Sequence, residues 1–234
     1  MEDDGSCTDP IPGAGCPGEC AGSSFFPGNG GTIEVELVNP NIGILSGALG
    51  TVDLTGYACY RIYIHLNSPD DFLSSVSGDA TNPTYINTTT NFYHAALGAG
   101  VPNGINSLLF PVYPDLAYDS WVTIGLEGTP NTLAGEANVS TVQSSDNPWF
   151  TNFDPGGGLP GGNIAIDDGV GGAWYALNGD SNGVAGDDLK VLIGQFTTTG
   201  ALSGQLVWQN FLDGDGCRGC GFGSGSFVGP VCNE

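Results

Sequence analysis

Cations are the scarcest feature of this 234-residue chain: Lys and Arg together number 3, against 25 Asp and Glu, for a formal net charge of −22. A surface unable to neutralise phosphate excludes nucleic acid as a partner. The same deficit argues against anionic membrane surfaces. Nor is there an apolar run of membrane-spanning length, and Met1 is not followed by a basic-then-apolar leader. The expectation is therefore an exported chain whose leader has been removed, or one unit of a longer exported polypeptide. Helix-forming Lys, Arg, Glu and Met are sparse, and no segment sustains a helical period.

What is present points to β-structure. Forty glycines and 15 prolines, without a collagen period, read as frequent turns between short strands. A 40% hydrophobic and 10% aromatic content is enough to fill a core, which sets the chain apart from disordered acidic sequences. "TIEVELV" (32–38) alternates Ile33, Val35 and Leu37 against Glu34 and Glu36. "CYRIYIHL" (59–66) places Tyr60, Ile62, Ile64 and Leu66 on one face and Arg61, Tyr63 and His65 on the other. "DDFLSSVSG" (a strand or a turn), "SLLFPVYP" (107–114, an edge or bent strand because of its prolines), "SWVTIGLE" (120–127), "GNIAIDD", "GAWYAL", "DLKVLIGQFTT" and "GQLVWQNFL" complete the set. The fold class is all-β, an antiparallel sandwich or jelly roll with Gly/Pro-rich turns. We divide it into a Cys/Gly/Pro-rich segment (1–30), a sandwich body (31–212) and a Cys/Gly-rich tail (213–234). "PGGGLPGG" (155–162) is the one linker-like stretch, and a single sandwich is favoured over two domains.

Seven cysteines sit unevenly: Cys7, Cys16 and Cys20 in front, Cys217, Cys220 and Cys232 behind, and Cys59 alone between. A zinc site using Cys16, Cys20, Cys217 and Cys220 would need compact paired knuckles, whereas these surroundings are acidic and Gly/Pro-rich. Disulfides tying down the two ends fit better. The odd number leaves one thiol unpaired or bonded to another chain, and Cys59 reads equally as a buried free thiol.

Candidate chemistry is thin. Gly179-Asp180-Ser181-Asn182-Gly183 matches G-x-S-x-G, but both histidines, His65 and His94, precede it and no helix pattern follows, so a hydrolase is rejected. The same loop offers hard oxygen donors at Asn178, Asp180 and Asn182, with Asp187 and Asp188 to close a shell. Calcium is thus the one cofactor the sequence raises, against the alternative of an Asx-rich turn. His65 and His94 read as structural histidines without a catalytic or metal-ligating set around them. Trp149, Phe150 and Phe153 in "NPWFTNFDP" form either a sugar-stacking platform or contact anchor, or a cap on the core. Asn87 and Asn138 begin glycosylation sequons.

Two features carry a resemblance. "DDGSC" followed by a C-x-G-x-C ending at Cys20 resembles short cysteine modules that recur in very large exported proteins of Bacteroidetes. The body, above all "YRIYIHLNSPDDFLSSVSGD", "FPVYPDLAYDSWVTIGLE" and "GGNIAIDDGVGGAWYALNGDSNGVAGDDLKVLIGQFTTTGALSGQLVWQ", is similar to a β-rich repeat domain of those surface proteins. The resemblance implies export, an extracellular or cell-surface location and no catalytic residues to carry across. Cys59, Cys217, Cys220 and Cys232 lie outside its pattern.

These readings converge on a non-enzymatic structural subunit of an extracellular fibre or surface assembly. Copies would join through "GSFVGPV" or "SSFFPGNGG" added as a strand to a neighbour's sheet edge. A calcium-dependent glycan-binding adhesin module using the Trp149 loop is the alternative. A carbohydrate-active enzyme would need carboxylates converging from different strands. Expected partners are copies of the chain and glycans.

Overall fold

The computed structural model describes residues 30–214 and 220–230, with the side chain of Cys220 excepted. Within them the chain forms two antiparallel sheets packed face to face, as the all-β reading expects. The first sheet consists of β1 (Thr32–Asn39), β4 (Ala58–His65), β11 (Lys190–Thr198) and the short β7 (Trp121–Val122), in the order β1-β4-β11-β7. The second contains β5 (Phe72–Gly78), β6 (Thr84–Thr88), β8 (Ser140–Val142), β9 (Ile164–Ile166), β10 (Gly172–Tyr175), β12 (Leu202–Phe211) and β13 (Cys220–Val228). A hairpin of β2 (Gly43–Gly47) and β3 (Gly50–Leu54) stands apart. The one α-helix among the described residues, α1 (Trp149–Phe153), has five residues, and no described helix is long and apolar enough to cross a membrane.

Strand β12 is the spine of the second sheet. Along one edge it pairs in succession with β6 (residues 202–205) and β5 (207–211), and along the other with β13 over its length. β10 and β8 extend the sheet beyond β5, and β9 extends it beyond β6.

The period-2 pattern of β4 does what the sequence predicts: Tyr60, Ile62, Ile64 and Leu66 are buried in the core, while Arg61, Tyr63 and His65 face outward. β11 carries an extra residue, Ile193, between Leu192 and Gly194, and this bulge shifts the alternation so that Phe196 joins Val191 and Ile193 in the core while Gln195 lies beside Arg61 on the outer face. Opposite them lie Val76, Ile86, Leu206, Trp174 and Trp208 of the second sheet. One buried cluster runs from Ala58 to Phe227, using residues on both sides of the 155–162 glycine stretch.

Three expectations need correction. Ser107–Pro114 is not a strand: Asn106 caps a 3-10 turn by accepting the Leu108 N–H (2.9 Å), and Pro114 opens a second turn, Pro114–Tyr118. In 120–127 only Trp121–Val122 pairs regularly. Beyond it the Thr123 and Gly125 N–H groups bond to Ile193 and Leu192 carbonyls (3.0 and 2.8 Å), and Gly125 turns the chain with a positive φ of 71°. The assigned C-terminal tail contributes β13, whose nine residues pair with β12 from Ser203–Val228 to Phe211–Cys220 without a register shift. Glycine makes this possible. A Cβ at Gly223 would collide with the Trp208 indole, and one at Gly221 with the Asn210 side chain.

Candidate functional site

The outer face of the first sheet gathers most of the positive charge in the described chain. Register places Glu36, Arg61 and Gln195 in one row, Glu34, Tyr63 and Leu192 in the next, and His65 beside Lys190 in a third. The rows are cross-linked. The Tyr63 hydroxyl donates to Glu36 (2.9 Å), Lys190 Nζ lies 3.4 Å from Glu34 and 4.4 Å from the Tyr63 ring centre, and His65 Nε2 contacts Glu34. The His65 hydrogen bond, followed by Lys190, holds the Glu34 carboxyl below the usual glutamate range. Burial, helped by Glu36, pushes the Tyr63 hydroxyl up to about 12.

Beside these rows the long excursion from Gly100 to Val139 folds back over the sheet. It builds a small second cluster of Ile105, Trp121 and Leu192, with Phe110 and Tyr63 against it. Between this roof and the sheet opens a cleft of about 460 Å³. Arg61 lies in its wall: Nε donates to Gln195 Oε1 (3.2 Å) and Nη1 pairs with Glu127 Oε2 (3.0 Å). Gln195 is held in turn, its Nε2 donating to the Ala117 and Asp119 carbonyls (3.1 and 2.9 Å). Burial alone would lower the Arg61 pKa. Glu127 and Tyr63 together more than offset it, so the guanidinium ends above its usual value. Glu136 also lines the cleft and ties its own loop by accepting the Asn131 N–H (2.6 Å).

The sequence-derived candidates fare differently. Trp149 and Phe153 are 1% and 0% exposed, and Trp149 donates its indole N–H to the Val142 carbonyl (2.9 Å). Neither ring can stack on a sugar, so the platform reading is corrected: α1 turns these aromatics into the core, and only Phe150 stays half-buried at its rim. In the 178–188 loop, the Asn182 side chain is already committed, accepting the Ala137 N–H (3.0 Å) and donating to the Ile124 carbonyl (2.7 Å). Asp180 accepts the Leu177 N–H (3.0 Å), and Asn178, Asp187 and Asp188 are exposed. Among the described residues no three His, Cys, Asp or Glu side chains are grouped to hold a metal ion.

Asn87 is half-buried in β6 opposite Ser203, while Asn138 is exposed just before β8. Cys59 is a free thiol, fully buried, and burial pushes its pKa up to about 11. Cys7, Cys16, Cys20, Cys217 and Cys232 lie outside the described residues, as does the Cys220 side chain.

His94 is the candidate whose surroundings the sequence concealed. Its Nε2 lies 2.7 Å from the Phe153 carbonyl, and its Nδ1 is 3.6 Å from Asp119 and 4.0 Å from Asp154. Asp119 accepts the Ala95 and Ala99 N–H groups (both 2.8 Å), and Asp154 accepts those of Gly100 (2.6 Å) and Gly156 (2.9 Å). With its side chain 2% exposed, His94 knits the 95–100 and 153–156 loops together. Comparison with known proteins gives no direction here: no family model, curated protein or solved structure matches this chain.

Proposed function

We propose that the protein is a structural subunit of an extracellular fibre or surface assembly, its copies joined by addition of a strand to the free edge of β13. The observation that carries this reading is the character of that edge. β13 is nine residues long, regular, free of proline and charge, and on the side away from β12 it pairs with no described strand. Soluble proteins blunt exposed edges with lysine, proline or bulges, and β13 has none of these.

The occupant is the segment preceding Gly30 of a second copy, with Phe25 and Phe26 as its apolar residues. Two features support it. Gly30, the first described residue, packs directly against Gly223 of β13. A hollow of about 310 Å³ on the outer face runs from Phe222 of β13 across Val207 of β12 to Ser77 and Gly78 of β5, and suits an aromatic anchor reaching in over β13. The C-terminal half of the strand-addition expectation is revised accordingly: residues 225–228 already belong to their own sheet and make the acceptor. Contact repeated from one end to the other generates an open filament. With a net charge of −22, assembly requires screening by salt or divalent cations.

Negative-stain microscopy and sedimentation of the full chain test this. Filaments in moderate salt with calcium, abolished by Ser226→Lys on the exposed face of β13 with an unchanged circular dichroism spectrum, are expected. Dispersed monomers at high concentration under the same conditions overturn it.

A further inference from the structure

We infer that the Arg61 cleft on the first sheet is a binding site for a neutral sugar residue. The inference is independent of assembly, because the cleft lies on the opposite sheet from β13. At about 460 Å³ the cleft is of small-ligand size. Its polar groups are fixed before any ligand arrives. Gln195, 3% exposed and bonded to two carbonyls, holds Arg61 Nε, and Glu127 holds Nη1. A guanidinium pinned at two positions presents its remaining N–H groups in a set plane. The Glu127 side chain is 66% exposed and keeps acceptor capacity for a second donor.

Sugar hydroxyls both donate and accept, so they match a wall in which a guanidinium and a carboxylate stand side by side. Phe110, also in the lining, offers an apolar surface for the C–H face of a ring. Charge selects among ligand classes. One guanidinium against Glu127 and Glu136 leaves the cleft formally at −1, inside a chain at −22, which disfavours anionic ligands. A bound metal ion is disfavoured by Arg61 itself and by the lack of a three-acid group among the described residues. A neutral polyol, whose hydroxyls can serve the guanidinium and the carboxylate at once, fits this donor–acceptor pair.

The test is a titration of the isotope-labelled full chain with cellohexaose, maltohexaose and mannohexaose, beside an acidic hexagalacturonate, followed by the Trp121 indole resonance at the cleft. At least one neutral hexasaccharide shifts that resonance saturably. Glu127→Gln, at an exposed position that leaves the fold intact, weakens neutral-sugar binding about tenfold. It also improves binding of the uronate, because a negative charge is removed. Absence of any shift at about 10 mM neutral sugar, tighter binding of the uronate by the unaltered chain, or indifference of neutral-sugar binding to Glu127→Gln would each overturn the assignment.

Discussion

Asp71 and Asp213, 142 positions apart, are joined by a hydrogen bond in which the Asp213 backbone N–H donates to Asp71 Oδ1 at 2.9 Å. The other oxygen of the same carboxylate, on a residue 2% exposed, accepts the Asn67 and Ser68 N–H groups, both at 3.1 Å. One side chain thus fastens the turn leaving β4 to the exit of β12, the strand that organises the second sheet. Asp71→Ala strands three donors and costs about 3 kcal/mol, while Asp71→Asn retains one acceptor oxygen and costs about 1–2 kcal/mol. Urea unfolding followed by tryptophan fluorescence measures both. Losses below about 0.5 kcal/mol for the alanine variant would show that the junction is held by something else.

Cys59 makes the fold sensitive to alkali. Its thiol is raised from an ordinary 9.0 to about 11 by burial, so the native state favours the neutral form. The sign follows: this contribution is fully present below pH 9 and is lost as pH rises through about 11. About 2–3 kcal/mol is at stake. Cys59→Ala lowers stability somewhat at every pH through lost packing, but it flattens the decline in urea midpoint between pH 9 and 10, below the ordinary tyrosine value of 10 from which Tyr63 and Tyr93, both raised by burial, add a decline of their own. Parallel decline of the two proteins over that interval would contradict this. Alkylation with mass mapping gives a second check: Cys59 labels only once urea is present.

Where apolar alternation sets the structure, the sequence was readable. Ile33, Val35 and Leu37 in β1, and Tyr60 to Leu66 in β4, were assignable because one apolar face of each strand packs toward the core, half-buried in β1 and fully buried in β4. β13 was not assignable, since Gly221, Gly223 and Gly225 carry no hydrophobic signal. Their role is to leave room for side chains arriving from β12 and β1, which is a tertiary fact. Ser107–Pro114 misled in the opposite direction, its apolar composition suggesting a strand that its prolines and the Asn106 cap convert to turns. Trp149 followed the same logic: aromatic content marked the loop, but burial decided between core and contact surface. Arg61 was visible on the outer face of β4. Its partners Glu127 and Gln195 lie 66 and 134 residues away, and no local pattern connects them.

Glu34 contributes an acid-dependent increment. His65 first, and then Lys190, lowers its folded pKa beneath the ordinary 4.5. The stability it adds is present above pH 4.5 and is lost as pH falls through the lowered folded value. Because the Glu34 side chain is 38% exposed, solvent screening limits this to below about 1 kcal/mol. Glu34→Gln therefore shifts the melting temperature slightly at pH 6 and leaves it unchanged at pH 3. The pH 6 difference shrinks in about 1 M salt. An equal destabilisation at both pH values would assign Glu34 a packing role instead.

Gly223 and Ser226 are neighbours on β13 that separate folding from assembly. Gly223 faces the core, where an added methyl would run into the Trp208 indole. That ring is 1% exposed and its N–H is bonded to the Gly30 carbonyl, so it cannot easily retreat, and Gly223→Ala costs about 1–3 kcal/mol and perturbs the near-ultraviolet tryptophan spectrum. Ser226 is exposed on the opposite face, and its replacement by lysine leaves the melting temperature within about 2 °C while placing a strongly hydrated charge beside the free edge. If β13 is both a strand of its own sheet and the acceptor for a second copy, the two substitutions dissociate: Gly223→Ala lowers stability and reduces assembly only near its melting temperature, whereas Ser226→Lys abolishes assembly at every temperature. Assembly surviving Ser226→Lys would move the contact away from β13 and leave the strand with its structural role alone.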